Sequence, residues 1–221
     1  MKARRRRGRS HAPEARSRVT DAPRDAHDRL VVGYHACERT IARRVLLGKA
    51  ELTPSTNDYD WLGTGIYFWE YGLTRARQFA EEKRQRGAIK DPFVLGAYVH
   101  LGQCLDLTDV WATHELAFYY EKLRATFGER ALPVNRSLRG RRGEQLLRRL
   151  DCSVINLCLS VTDNRGRPTG KPFRFDTVRG AFEEGPPAFP GAAVREKSHV
   201  QFSVRNPACV VGVFRPTGYS L

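Results

Sequence analysis

Nothing in the 221 residues approaches the run of roughly 18 apolar residues that spans a bilayer, and the amino terminus has no apolar stretch of the secretory kind. The expectation is a soluble chain that is not exported by the general route. Cysteine is sparse and unpatterned. The five, Cys37, Cys104, Cys152, Cys158 and Cys209, are odd in number and contain no Cys-x-x-Cys pair. That argues against a disulfide framework and against a zinc site, and it fits a reducing, cytoplasmic compartment. The six histidines show no metal-ligand spacing either. No Gly-x-Gly-x-x-Gly follows a strand pattern, and a P-loop, a Gly-x-Ser-x-Gly elbow and a paired-carboxylate helix are all missing. Acid is scarce as well: 24 Asp and Glu stand against 38 Lys and Arg, a formal charge of +14. Such a balance favours partners that carry phosphates or other anions.

What is present is enough for one substantial domain. Hydrophobic residues make up 41% of the chain, and a chain of this length buries on the order of 70% of its unfolded surface without staples. Residues 1 to 28 stand apart, with nine basic and four acidic side chains and almost no aliphatic ones; they read as a disordered basic arm. The remainder, 29 to 221, still carries an excess of positive charge and reads as a single domain. Period-2 alternation predicts strands over 30–36, 65–70, 92–101, 153–160, 198–205 and 208–214. Helical patterns cover 38–47, 73–86 and 109–127, the last after a cap at Thr108 and with Leu116, Tyr119 or Tyr120, Leu123 and Phe127 on its core stripe, and a short Arg-rich helix is expected over 143–150. Early mixing of helix and strand with strands clustered late argues for an α+β domain with a mixed or antiparallel sheet. Residues 163–191 hold five Gly and five Pro and read as a long surface loop.

Three segments carry chemistry. In the first strand, alternation puts Gly33 and His35 on one face and Val32 and Tyr34 on the other, so a polar imidazole ends an apolar strand. In the second, turn-forming residues lead into Gly63-Thr64-Gly65, where missing side chains let a ligand or another backbone come close, and then into the aromatic run Ile66-Tyr67-Phe68-Trp69. Tyr67 and Trp69 share a side with Gly65, and an aromatic face beside such a step suits a planar ring. In the third, His199, Gln201, Ser203 and Arg205 share one face, and Val200, Phe202 and Val204 share the other. One side is core; the other looks outward or into a cleft.

In order and spacing these segments, Tyr34-His35-Ala36-Cys37, Gly63-Thr64-Gly65-Ile66-Tyr67-Phe68 and Val200-Gln201-Phe202-Ser203-Val204, resemble the ADP-ribosyltransferase superfamily. The likeness is to the branch of diphtheria toxin and the poly-ADP-ribose polymerases, named for a His, a Tyr and a Glu on three strands. The string from Asn57 to Glu70 looks like a bacterial subgroup of it. The resemblance implies split mixed or antiparallel sheets with flanking helices, and NAD as cosubstrate. It implies that His35 hydrogen-bonds the ribose, that the Gly33–Ala36 backbone meets the carboxamide, and that Tyr67, beside Gly65, stacks on nicotinamide with Phe79 or Tyr71 completing a sandwich.

Two positions depart from the pattern: Ala36 stands where the family has Gly, and Gln201 takes the place of the catalytic Glu. An amide can orient a hydroxyl but cannot act as a base at neutral pH. Glu184, flanked by glycines, is the preferred substitute, ahead of Glu183, Asp176 and Glu196. The function expected from the resemblance is an NAD-dependent mono-ADP-ribosyltransferase, a toxin or defence factor that modifies RNA or another nucleic acid, with a possible antitoxin partner. Protein acceptors, a non-catalytic NAD or ADP-ribose reader, an RNA 2′-phosphotransferase and a nucleic-acid-binding structural protein stand as alternatives.

Overall fold

A computed structural model describes residues 29–137, 144–165 and 174–219, so the basic arm lies outside the described residues. Seven strands and four helices run in the order β1 (Leu30–Glu38), α1 (Arg39–Leu46), β2 (Ile66–Glu70), α2 (Leu73–Gln85), β3 (Pro92–His100), β4 (Cys104–Asp106), α3 (Val110–Phe127), α4 (Arg149–Arg165), β5 (Thr177–Phe182), β6 (His199–Val204) and β7 (Val210–Phe214). The strands form one mixed sheet in the order β4-β5-β6-β2-β1-β3-β7, rather than a split pair, and only β4 and β5 are parallel. The α+β expectation therefore holds at the level of class.

Alternation along the strands decides which face each helix covers. Cys37, Phe93 and Leu95 turn to α1, where they pack with Ala42 and Val45. Ala36, Trp69 and Val94 turn to the opposite face and meet Ala76 and Ala80 of α2; the two alanines let the helix sit close to the strands. Further along that second face, α3 and α4 cover the other half of the sheet through Ala112, Tyr119, Leu123, Ile155 and Leu159, packed on Leu62, Leu105 and Val178. Beneath the first face lies an apolar cluster of Val31, Phe68, Val99, Phe202 and Val204. There Arg179 of β5 binds Glu70 of β2 through Nε at 2.5 Å and Asp106 of β4 through Nη1 at 3.0 Å. All three are largely buried, which ties β2, β4 and β5 together away from the second face.

Four expectations need correction. Residues 153–160 are the middle of α4, not a strand: Val154, Ile155, Cys158 and Leu159 fall at helical spacing on one buried stripe. Of the helix expected over 143–150, residue 143 lies outside the described residues, 144–148 are not helical and hold an isolated bridge from Leu147 to Arg136, and 149–150 begin α4. The presumed surface loop contains β5, with Thr177 and Val178 fully buried, because its chain completes the sheet between β4 and β6; residues 166–173 of that stretch lie outside the described residues. Finally, α3 is capped by Asp109, whose carboxylate accepts from the Trp111 amide, and its stripe ends before Phe127, which is 63% exposed.

The sheet is uneven at one place. β1 pairs with β3 over nine residues, from Leu30 opposite His100 to Glu38 opposite Pro92. With β2 it pairs only at Gly33–Glu70 and Tyr34–Trp69. Beyond Tyr34 the two strands part, and this seam positions the site.

Candidate functional site

A cavity of about 670 Å³ lies over the seam, within the roughly 300–1,000 Å³ usual for small-molecule and cofactor sites. His35 and Ala36 of β1, Gly65 and Tyr67 at the start of β2, Phe79 of α2, Gln201 of β6 and Glu184 all line it. Residues far apart in the chain thus share one space. Of the residues proposed from sequence, Gly33 does not line it. A Cβ there would fall 2.6 Å from the Phe202 ring and 2.8 Å from Phe68, so this glycine serves the packing of two core rings. Tyr71, 65% exposed, is also outside the cavity, as are Glu183, Asp176 and Glu196. The room left by Gly65 is taken by Ser203 and the Val204 carbonyl of β6, so its close approach is to a strand.

Where the ladder between β1 and β2 ends, a side chain replaces it. His35 Nδ1 lies 2.8 Å from the Tyr67 carbonyl. A carbonyl only accepts, so Nδ1 carries the proton and Nε2 is left as an acceptor. Burial pulls the imidazole down from 6.5 to about 4, against the opposing pull of that hydrogen bond, and the ring is neutral at physiological pH. Tyr67 is fixed at its other end: its hydroxyl donates to the Gly63 carbonyl at 2.8 Å and accepts from the Leu62 amide at 2.9 Å. Burial raises this phenol well above its ordinary value, so it stays protonated. With the hydroxyl occupied, the part of Tyr67 available to the cavity is its ring.

The segment before β2 is held just as firmly. Asn57 binds Asp60 and Ser55 through its side chain and accepts from Cys152 Sγ of α4, while Asn156 of α4 accepts from the Thr64 amide at 3.1 Å. This places Trp61 across β5 and β6. Gly180 of β5 makes that possible, since a Cβ there would meet the indole ring at 2.9 Å. Trp61 Nε1 donates to Gln201 Oε1 at 2.7 Å, which fixes the orientation of the amide and leaves its NH₂ group as a donor. Phe182 packs on Trp61 with centroids 4.9 Å apart and on His199 at 5.6 Å. His199 in turn donates from Nδ1 to the Lys197 carbonyl at 2.6 Å, and burial lowers its pKa. Of the β6 face that alternation turned outward or into a cleft, His199 and Gln201 line the cavity, and Ser203 and Arg205 do not.

Glu184 is not on a free loop. It is buried and accepts from Arg75 Nη2 at 2.7 Å and Nε at 3.3 Å, and Arg75 also lies 3.6 Å from Glu82. Glu82 binds Lys197 at 2.8 Å. Sequence reasoning missed Trp61, Arg75, Glu82, Lys83, Arg86 and Phe182, all on the cavity wall. The charged residues of α2 carried no signal in the sequence; the one available cue was Phe79 amid them.

The chain was compared with models of known protein families, with characterised proteins and with solved structures, and nothing in any of the three matches it. No described helix is long and apolar enough to cross a membrane, and among the described residues no cluster of His, Cys, Asp or Glu is arranged to hold a metal. The five cysteines are free and buried.

Proposed function

We propose that the protein is an ADP-ribosyltransferase that uses NAD as cosubstrate. The observation that carries this reading is the meeting of His35, Tyr67 and Gln201, from β1, β2 and β6, in one cavity over the β1–β2 seam. The residues suit the cosubstrate: a neutral imidazole with a free acceptor for a ribose hydroxyl, an aromatic ring at Tyr67 for a planar base, and an amide donor at Gln201. Transfer requires cleavage of the glycosidic bond to nicotinamide, which is favoured by a site that holds ring and sugar rigidly while positive charge develops between them. His35 and Tyr67 are rigid because the sheet and the Leu62–Gly63 backbone fix them. Gln201 orients and does not take a proton. Among the described cavity residues the carboxylates are Asp60, Glu82 and Glu184. Glu184 is the one close enough to His199 to act on its charge, and Arg75 holds it. The acceptor we favour is nucleic acid, RNA in particular, because Arg77, Arg84 and Lys90 are exposed on and just after the same helix whose inner side lines the cavity.

A second reading, a reader that binds NAD or ADP-ribose without turnover, is favoured by one specific feature: the position expected to hold a catalytic carboxylate holds an amide tied to an indole. Incubation with labelled NAD separates the two. Transfer predicts free nicotinamide and label on RNA or protein, both lost in His35→Ala. Tight binding of NAD with no nicotinamide released over hours contradicts it.

A further inference from the structure

Two cations of α2 and Arg86, the residue that follows it, surround a single ring. The Arg75, Lys83 and Arg86 charge centres lie 5.6, 5.8 and 5.7 Å from the Phe79 centroid, and all four residues line the cavity. Arg75 is 8% exposed and spends Nε and Nη2 on Glu184, yet its Nη1 is buried with no hydrogen-bond partner. Lys83 has only the Ala36 carbonyl, at 3.4 Å, and Arg86 only the Glu82 carbonyl, at 3.1 Å. Neither forms an ion pair among the described residues. A buried guanidinium nitrogen without an acceptor costs stability, and the half-buried Lys83 and the exposed Arg86 add two positive charges on the same cavity wall. The arrangement calls for an anion with several acceptor oxygens.

We infer that Arg75, Lys83 and Arg86 form a phosphoryl subsite at α2 and its C-cap that grips the diphosphate of the dinucleotide, with Phe79 as the surface on which the three cations are arrayed. This rests on the NAD reading for the identity of the ligand, but not for the chemistry of the subsite. A planar guanidinium with a free edge and two further donors suits a phosphoanhydride, whose oxygens are spread along a chain. Glu184 acts as a positioning residue here: by holding one edge of Arg75 it turns the other toward the ligand.

Calorimetric titration of the full chain with ADP-ribose, pyrophosphate and nicotinamide tests the inference. Arg75 is left in place because its loss would strand Glu184, and the variant is Lys83→Gln with Arg86→Gln. Losing two charge-assisted contacts should weaken ADP-ribose binding about 100-fold and flatten its salt dependence, with nicotinamide affinity changed less than about 2-fold. Pyrophosphate binding to the wild type that the double variant abolishes supports the subsite even if nicotinamide and NAD fail to bind, in which case it is the NAD reading that falls. Wild-type and variant proteins that bind ADP-ribose and pyrophosphate equally, or a wild type that binds neither, overturn the subsite. Unchanged thermal unfolding of the variant confirms that the comparison is between folded proteins.

Discussion

The two neighbours of β1 meet it in different ways. Toward β3 the ladder is continuous over nine residues and is backed by Phe93, Leu95, Ala97 and Val99, all fully buried. Toward β2 it lasts two residues, and the gap beyond is bridged by an imidazole on a carbonyl and lined by a cavity. The first side spends its backbone groups on pairing and its side chains on packing. The second leaves both beside a cavity, and titratable groups line it: His35, His199 and Lys83, all with pKa values lowered by burial. One strand thus serves as scaffold on one edge and as site on the other.

The sharpest way to break this comparison is to damage the scaffold edge alone. Val99→Ala, opposite Val31 and away from His35, should cost about 1–3 kcal/mol of stability in urea unfolding, while nicotinamide release per folded molecule stays within about 2-fold of wild type. A large change in release at unchanged stability would mean that the division between edges is wrong. The site edge should instead reveal itself through acid. His35 has a folded pKa near 4 against 6.5 when unfolded, so between those values the unfolded state binds the extra proton. Stability is complete above about pH 6.5 and falls as pH drops toward 4, by at most about 3 kcal/mol, and less to the extent that the ring is open to the cavity. In His35→Gln this component should be absent from the pH dependence of the urea midpoint. An equal acid loss in both proteins would place the titration elsewhere.

Much of the scaffold edge could be read in the sequence, because β1, β3 and β7 are short apolar runs of strand length and α1 and α2 end just before glycines. The other half resisted. In α4, Val154, Ile155, Cys158 and Leu159 satisfy helical spacing, but the β-branched pair and the short apolar run mimic a buried strand. β5 carries Arg179 and Gly180 in its middle, which hides it; the arginine is there for Glu70 and Asp106, and the glycine for Trp61. β4, three residues long, has no period to detect.

Of the cavity residues, His35 stood out as a polar group ending an apolar strand and Tyr67 by the glycine step before it, while Gln201 was singled out by the resemblance. Arg75, Lys83 and Arg86 did not stand out, since charges on a helix look alike whether they face water or a cavity. Only burial distinguishes Arg75 from the exposed Arg77 two residues on. Glu184 was chosen for its flanking glycines, whereas the structure buries it in an ion pair with Arg75.

The central claim, that a dinucleotide occupies the opening between β1 and β2, is tested most directly by a crystal structure of the protein with a non-cleavable carbocyclic NAD analogue. The account predicts the pyridine ring against Tyr67, a ribose hydroxyl within hydrogen-bond distance of His35 Nε2 and the diphosphate against Arg75, Lys83 and Arg86. An analogue bound elsewhere on the surface, with the cavity filled only by water, would contradict it.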